Sequence, residues 1–276
     1  MKKTFWIVGI IFVVLVVWAT ISLSKNNETA NVSGPIKIGI STLLTGNYAV
    51  LGENIVNAAN LTAKEINDAG GVNGRMIEFI VQDAGVDSKT GLAAAQKLIN
   101  TDKVKYIIGG TSSNGTLAAA PVANQKKVVY MTPVTGGTNI DNAGEYVFRT
   151  ANSDLLAGRD IANAMIKLGF KKVGVVAETT EYTLDIKKTF EEVVKNQRVQ
   201  VVVSEEFQPD TSDFRTILTK AKAVEPEAIL ILSQTGISGG HFLKQARELG
   251  VRPVFFSDFN FVANENAKKI VGNFEG

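Results

Sequence analysis

The chain has 276 residues, 45% of them hydrophobic and 20% charged, an ordinary globular composition with room for two domains that each bury a core. Lysine and arginine number 29 against 27 acidic residues, and Lys2, Lys3, Lys25 and Glu28 leave 26 of each sign from Pro35 onward, so no basic stripe marks a nucleic-acid surface. With no cysteine and a single histidine, His241, a disulfide framework, a thiol nucleophile and a zinc site built on these ligands are excluded within the chain.

Residues 5–23 follow Lys2 and Lys3 and run for nineteen positions without a charge. That is long enough to cross a bilayer as a helix and longer than the usual apolar region of a signal peptide. The lysines would stay in the cytoplasm and place everything after Leu23 outside. Ser22 and Ser24 offer a poor small-x-small site that leaves a cleaved signal as the alternative, and the length of the run favours an uncleaved anchor. Residues 24–34 (SKNNETANVSG) are polar and aperiodic and read as a tether between membrane and domain.

From Pro35 the chain alternates strand and helix. Residues 36–40 read as a strand. Leu51, Ile55, Ala58, Ala59, Ala63 and Ile66 form a helical stripe stopped by Gly70 and Gly71, and Asn73-Gly74 turns the chain. Residues 76–82 are a second strand, 88–100 a helix and 104–108 a third strand. Residues 109–116 (GGTSSNGT) are small and hydroxylic, ahead of an Ala-rich helix expected to begin near Leu117. A strand that runs into hydroxyls and free N–H groups at a helix start suits an anion. Without lysine or arginine in the loop, that anion is a carboxylate rather than a polyphosphate. The same residues also fit a simple cap, with Ser113 or Thr116 satisfying one N–H. These residues alone leave both readings open.

A strand follows at 128–131, and the pattern restarts around 146–152. Ala157, Ile161, Ala164, Met165 and Leu168 share a helix face, 173–177 is a strand, and Ile186, Phe190, Val193 and Val194 recur at helical spacing. A strand at 201–207, a helix with Phe214, Ile217, Leu218 and Ala221, a strand at 228–232, a helix with Phe242, Leu243, Ala246 and Leu249, and a strand at 254–256 complete the series. Strand–helix alternation predicts α/β architecture with parallel sheets covered by helices. A first α/β lobe is expected at 35–150 and a second at 151–276. Ligands of such sheets sit beyond the carboxyl ends of the strands, which makes 42–51, 111–116, 132–138, 177–182, 233–238 and 257–260 the candidate binding loops.

One enzymatic pattern occurs. Gly236, Ser238 and Gly240 match G-x-S-x-G between a strand and a helix, as in a serine-hydrolase elbow. The triad needs a histidine distant in sequence, and His241 lies only three residues on, so this reading is remote. No G-x-G-x-x-G follows a strand and no phosphate-binding loop motif is present.

Six segments together resemble the branched-chain amino acid binding proteins, type I periplasmic substrate-binding proteins of ABC transporters. They are 36–46 (IKIGISTLLTG), 65–75 (EINDAGGVNGR), 87–98 (DSKTGLAAAQKL), 116–121 (TLAAAP), 148–158 (FRTANSDLLAG) and 242–250 (FLKQARELG). The resemblance implies two α/β lobes joined by three crossovers and closing on a small ligand like a hinge. It implies no catalysis, no cofactor and no metal. It also implies delivery of an amino acid or similar carboxylate to a membrane permease, on the extracytoplasmic face. The end of the chain corresponds to where the family's chain returns to the first lobe, so that lobe is expected to be C-terminally truncated. A membrane-tethered sensor of the same fold is the rival; four residues before the apolar run are too few for a cytoplasmic signalling module, which favours transport.

The resemblance also implies site residues. Ser113 falls at the serine that binds the ligand carboxylate, with Ser112 beside it, and Leu51 at a pocket-lining position. Val134 falls where a backbone carbonyl meets the ammonium group, and Gly136 where a threonine is expected, with Thr135 just before it. Tyr182 matches a tyrosine of the second lobe, Thr235 stands in place of another, and Asp258 lies at or next to the acid that pairs with the ammonium. Cysteines bridged in some members would fall near Val86 and Ser112 and are absent together. The changes at Gly136 and Thr235 put the ligand's identity in question more than the fold.

Overall fold

Two parallel sheets result from this alternation. A computed structural model describes residues 34–46 and 49–272; the expected membrane segment at 5–23 and all of the tether but Gly34 lie outside them. Among the described residues no helix is long and apolar enough to cross a membrane.

The first sheet is built from β1 (Ile36–Thr42), β2 (Ile77–Asp83), β3 (Tyr106–Gly109), β4 (Val129–Thr132) and β5 (Val147–Arg149). Its order is β2-β1-β3-β4-β5 and every pair is parallel. Helices α1 (Ala49–Asp68), α2 (Ser88–Gln96, running on as a π turn over Lys97–Thr101) and α3 (Ser113–Lys126) connect the strands, and a 3₁₀ turn (Thr138–Asn142) lies between β4 and β5. The core of this lobe gathers Leu98 and Ile99, the alanines 119, 120 and 123 of α3, Ile107 and Tyr130. Small residues let α2 and α3 approach closely: a Cβ on Gly91 would stand 2.6 Å from the Cα of Gly115. On α1 only Gly52 and Ala63 are buried.

Residues 150–153 carry the chain from the first sheet to α4 (Asp154–Lys167), one crossover among the described residues where the resemblance implies three. The second sheet, in the order β7-β6-β8-β9, contains β6 (Lys172–Glu178), β7 (Gln200–Phe207), β8 (Ala228–Leu232) and β9 (Val254–Ser257), again all parallel. Its helices are α5 (Glu181–Asn196), α6 (Arg215–Val224), α7 (Ile237–Glu248) and the short α8 (Phe259–Ala263) and α9 (Glu265–Val271).

β8 is buried at every position, as a strand covered on both faces must be. Its residues divide by the two-residue period of a strand. Ala228, Leu230 and Leu232 join Ile186, Phe190 and Met165 in one core, while Ile229 and Ile231 join Phe214, Leu218 and Phe242 in the other. Phe214 packs edge-on between Phe207 at 5.0 Å and Phe242 at 5.4 Å. Each such ring, fully buried, contributes roughly 1.5–3 kcal/mol of transfer free energy.

Four elements differ from the sequence expectation. α3 starts at Ser113, four residues before Leu117, because Ser112 supplies the cap inside what reads as a loop of small residues. β5 is only three residues long and forms by adding to the edge of β4. α8 and α9 are too short to show a helical period, and each is set by a capping side chain, Asp258 and Asn264 respectively.

Candidate functional site

At the carboxyl edge of the first sheet, β3 ends at Gly109 and the chain turns at Gly110. Its φ of +76° and the 2.1 Å that would separate an added Cβ from Thr116 Oγ1 both require glycine. Ser112 caps α3: its Oγ accepts from Gly115 N at 3.0 Å and donates to the carbonyl of Val86 at 2.7 Å. The cap is therefore Ser112, not Ser113 or Thr116. Thr116 Oγ1 instead donates back to the Ser112 carbonyl at 2.9 Å. Ser113 is 2% exposed and packs against Gly137, where an added Cβ would lie 2.9 Å from Ser113 Oγ. Leu51 is half-buried in the first turn of α1.

The loop after β4 is tied to the same edge. Thr132 Oγ1 donates to the Gly110 carbonyl at 2.8 Å, accepts from Thr135 N at 3.2 Å and bonds the Thr135 hydroxyl. Thr135 is thus buried and internally bonded, whereas Val134 is exposed. Gly136 has a packing reason to be glycine. Its carbonyl accepts from Asp154 N at 2.8 Å, and a Cβ would meet Asp154 Oδ1 at 2.2 Å and the Asn152 carbonyl at 2.6 Å. A threonine cannot stand there in this arrangement.

At the edge of the second sheet two carboxylates meet at Ser233. Glu178, the last residue of β6, accepts from Ser233 Oγ at 3.0 Å and from Gln234 N at 2.9 Å. Asp258 caps α8 by accepting from Phe261 N at 3.1 Å, and its other oxygen accepts from Ser233 N at 3.3 Å. Both are buried. Burial pushes Asp258 up to about 7, against the pull of its backbone hydrogen bonds and helped by the charge of Glu178. Burial likewise raises Glu178. Tyr182 is half-buried near the start of α5 against the second-lobe core. The half-buried Thr235 accepts through its carbonyl from Asn264 Nδ2 at 2.8 Å.

The two edges face each other and touch. Asn114 Oδ1, in the first turn of α3, accepts from Glu181 N at 3.0 Å. Asn139 Nδ2 donates to the Glu181 carboxylate. Asp185 Oδ2 accepts from both Thr138 N at 2.6 Å and Thr138 Oγ1 at 2.8 Å. Beside this contact Asp154 is 7% exposed, and its Oδ2 has no hydrogen-bond partner among the described residues. Burial and the like charges of Asp185 and Glu181 raise it to about 7, with Arg149 opposing them.

Ser112, Ser113, Thr135 and Gly136 therefore lie together on the first edge, opposite the start of α5 that carries Tyr182. Thr235 and Asp258 sit on neighbouring loops of the second edge, held by contacts within their own lobe. Sequence reading reached Asn114, Thr138 and Glu181 only as members of the candidate loops and missed Asn139, Asp185 and Asp154; the signal available was that Asp154 and Glu181 are carboxylates in the first turns of helices. Ser238 is 1% exposed in the first turn of α7, with His241 on the same helix, so its oxygen is not presented as at a nucleophile elbow. Among the described residues no group of three or more His, Cys, Asp or Glu could hold a metal ion.

A pair of parallel α/β sheets meeting at their carboxyl edges defines a bilobal binding protein, and the chain belongs to the periplasmic binding protein family, which it matches over residues 35–273. It is 28% identical over 243 residues to the leucine-, isoleucine-, valine-, threonine- and alanine-binding protein of Pseudomonas aeruginosa, an alignment that spans 83% of this chain and 64% of that one. It is 24% identical to the Leu/Ile/Val-binding protein of Escherichia coli, over 86% of this chain and 64% of that one. Among solved structures, the branched-chain amino acid transporter substrate-binding protein LivJ of Streptococcus pneumoniae, in complex with isoleucine, superposes with a TM-score of 0.76. It shares 27% identity over 86% of this chain and 67% of that one. A solute-binding protein of R. palustris in complex with 4-hydroxybenzoate superposes at 0.77 with 23% identity, covering 86% and 65% of the two chains, and shows the shared fold. The chain spans just under two thirds of the length of the relatives it matches.

Proposed function

We propose that the protein is the substrate-binding component of an ABC importer, taking an amino acid or similar small carboxylate into the cleft between its lobes and delivering it, unchanged, to a membrane permease. The observation that carries this reading is the meeting of the two strand-end edges at Asn114–Glu181 and Thr138–Asp185. A guest between them gains contacts from both lobes only in the closed form, so it draws the population toward closure. The names of the relatives, which bind leucine, isoleucine and valine, support the same class of guest.

In this reading the hydroxyl and amide groups around Ser112 and Ser113 receive the negative end of the ligand. Leu51 and Val134 line the pocket, Thr135 and Gly136 shape its floor, and Tyr182 and Thr235 approach from the second lobe. Asp258 acts at one remove, as a buried carboxylate that makes the second edge negative. A carboxylate taken from water needs such donors, because an unpaired buried charge is very costly. The uncharged run at 5–23 supports an anchor or export signal that places the lobes outside the cell membrane.

Thermal-shift screening of amino acids, amides and small organic acids tests the proposal. A ligand at about a hundred times its dissociation constant adds about 2.7 kcal/mol of stability, well within detection. Finding no stabiliser across these classes, or turnover of an ester in the same assay, would refute it.

A further inference from the structure

The charge of the facing edges bears on what the cleft accepts, an argument that rests on the binding role proposed above. The six loops at 42–51, 111–116, 132–138, 177–182, 233–238 and 257–260 contain no lysine, arginine or histidine, but they hold Glu178, Glu181 and Asp258. Two more carboxylates, Asp154 and Asp185, flank the interlobe contact. Asp154 is more than nine-tenths buried and its Oδ2 lacks a hydrogen-bond partner among the described residues. Glu178 and Asp258 share Ser233 and accept only from neutral donors in the bonds described above.

The cation beside this group, Arg149, is already engaged. Its Nε and Nη2 reach Asp141 Oδ1 and Oδ2 at 2.5 and 2.8 Å, and its Nη1 donates to the Ala151 carbonyl at 3.1 Å. Like charges gathered among largely buried groups repel one another and raise the cost of ionising each. An entering cation relieves that repulsion, an entering anion adds to it, and a zwitterion with an apolar side chain does little on balance.

We propose that this cleft selects ligands of net positive charge, amines or guanidinium compounds such as a cationic amino acid, over aliphatic zwitterions and simple carboxylates. Glu181 is the residue placed to meet the extra cation, since it stands between the lobes, bonded to Asn114 through its backbone and to Asn139 through its carboxylate.

Isothermal titration calorimetry on the full chain with arginine, agmatine, leucine and 4-hydroxybenzoate tests this. Arginine or agmatine should bind at least about tenfold more tightly than leucine or 4-hydroxybenzoate, with Glu181→Gln lowering that affinity about tenfold at an unchanged melting temperature. Equal or tighter binding of leucine or 4-hydroxybenzoate would overturn the charge preference and leave the binding role standing. Heat from none of the four would count against both. An unchanged arginine affinity in Glu181→Gln would overturn the placement of the cation.

Discussion

The backbone N–H of Glu181, at the start of α5 in the second lobe, donates to Asn114 Oδ1 in the first turn of α3 in the first lobe, at 3.0 Å. With the Thr138–Asp185 pair it joins the lobes directly. Such bonds weigh on the balance between open and closed forms. Asn114→Ala should weaken ligand binding about threefold to tenfold, the equivalent of one net hydrogen bond of about 0.5–1.5 kcal/mol. Small-angle scattering should show a larger radius of gyration for the ligand-free variant, and an unchanged radius and affinity would remove Asn114 from the closure.

Adjacent serines should separate stability from binding. Ser112 Oγ both caps α3 and bonds the Val86 carbonyl, so Ser112→Ala should cost about 1 kcal/mol, seen as a lowered urea midpoint. Ser113→Ala removes no cap and should leave the midpoint in place while weakening ligand binding in calorimetry. The reverse pattern would show that the roles are exchanged.

Asp258 should behave as a structural acceptor. Asp258→Ala strips partners from the N–H groups of Phe261 and Ser233 and should destabilise by about 1–3 kcal/mol, whereas Asp258→Asn keeps an acceptor and should lose less. Chemical denaturation of the two variants distinguishes them. Equal losses would mean that the negative charge, not the acceptor, matters.

Glycine at 136 should be obligatory. The Cβ of Gly136→Ala would lie 2.6 Å from the Asn152 carbonyl as well as against Asp154, and a backbone atom beside the crossover yields little. A loss of about 1–3 kcal/mol in thermal or urea unfolding is expected. A variant as stable as the parent would mean that the crossover moves freely.

Stability should fall as pH rises from about 4 to 7. Asp154 and Asp258 stand near 7 in the folded protein against an ordinary 3.8. Within that window the native state holds protons that the unfolded state has released. The stabilisation is complete below the unfolded value and is lost as pH climbs through the folded one. The groups that act on Asp154 are Asp185 and Glu181 of α5 and Arg149 of β5, and the charge that acts on Asp258 is Glu178 of β6. A melting temperature lower by roughly 4–8 °C at pH 8 than at pH 5 is expected, for about 2 kcal/mol in a domain of this size. Asp154→Asn should flatten the profile.

Most of the architecture is legible in the sequence. Strands of continuous Val, Ile and Leu flanked by helices with a single apolar stripe can only be parallel sheets under helical layers, and the spacing of Ile186, Phe190 and Val194 or of Ala228, Leu230 and Leu232 states which side faces inward. β5, α8 and α9 escaped because three to seven residues carry no measurable period; pairing to β4 and the caps Asp258 and Asn264 create them. The start of α3 escaped because a cap and its loop use the same small residues.

By itself the sequence determined the fold class, the division into strand-end loops and the absence of basic residues from those loops, since all three follow from local composition and periodicity. Only the tertiary structure decided that Ser112 is the cap, that Gly136 is excluded from carrying a side chain by Asp154, and that Asn114 and Thr138 meet Glu181 and Asp185. Those facts depend on distances between segments 18 to 67 residues apart in the chain, and no local pattern encodes how far two such segments stand once both lobes have packed.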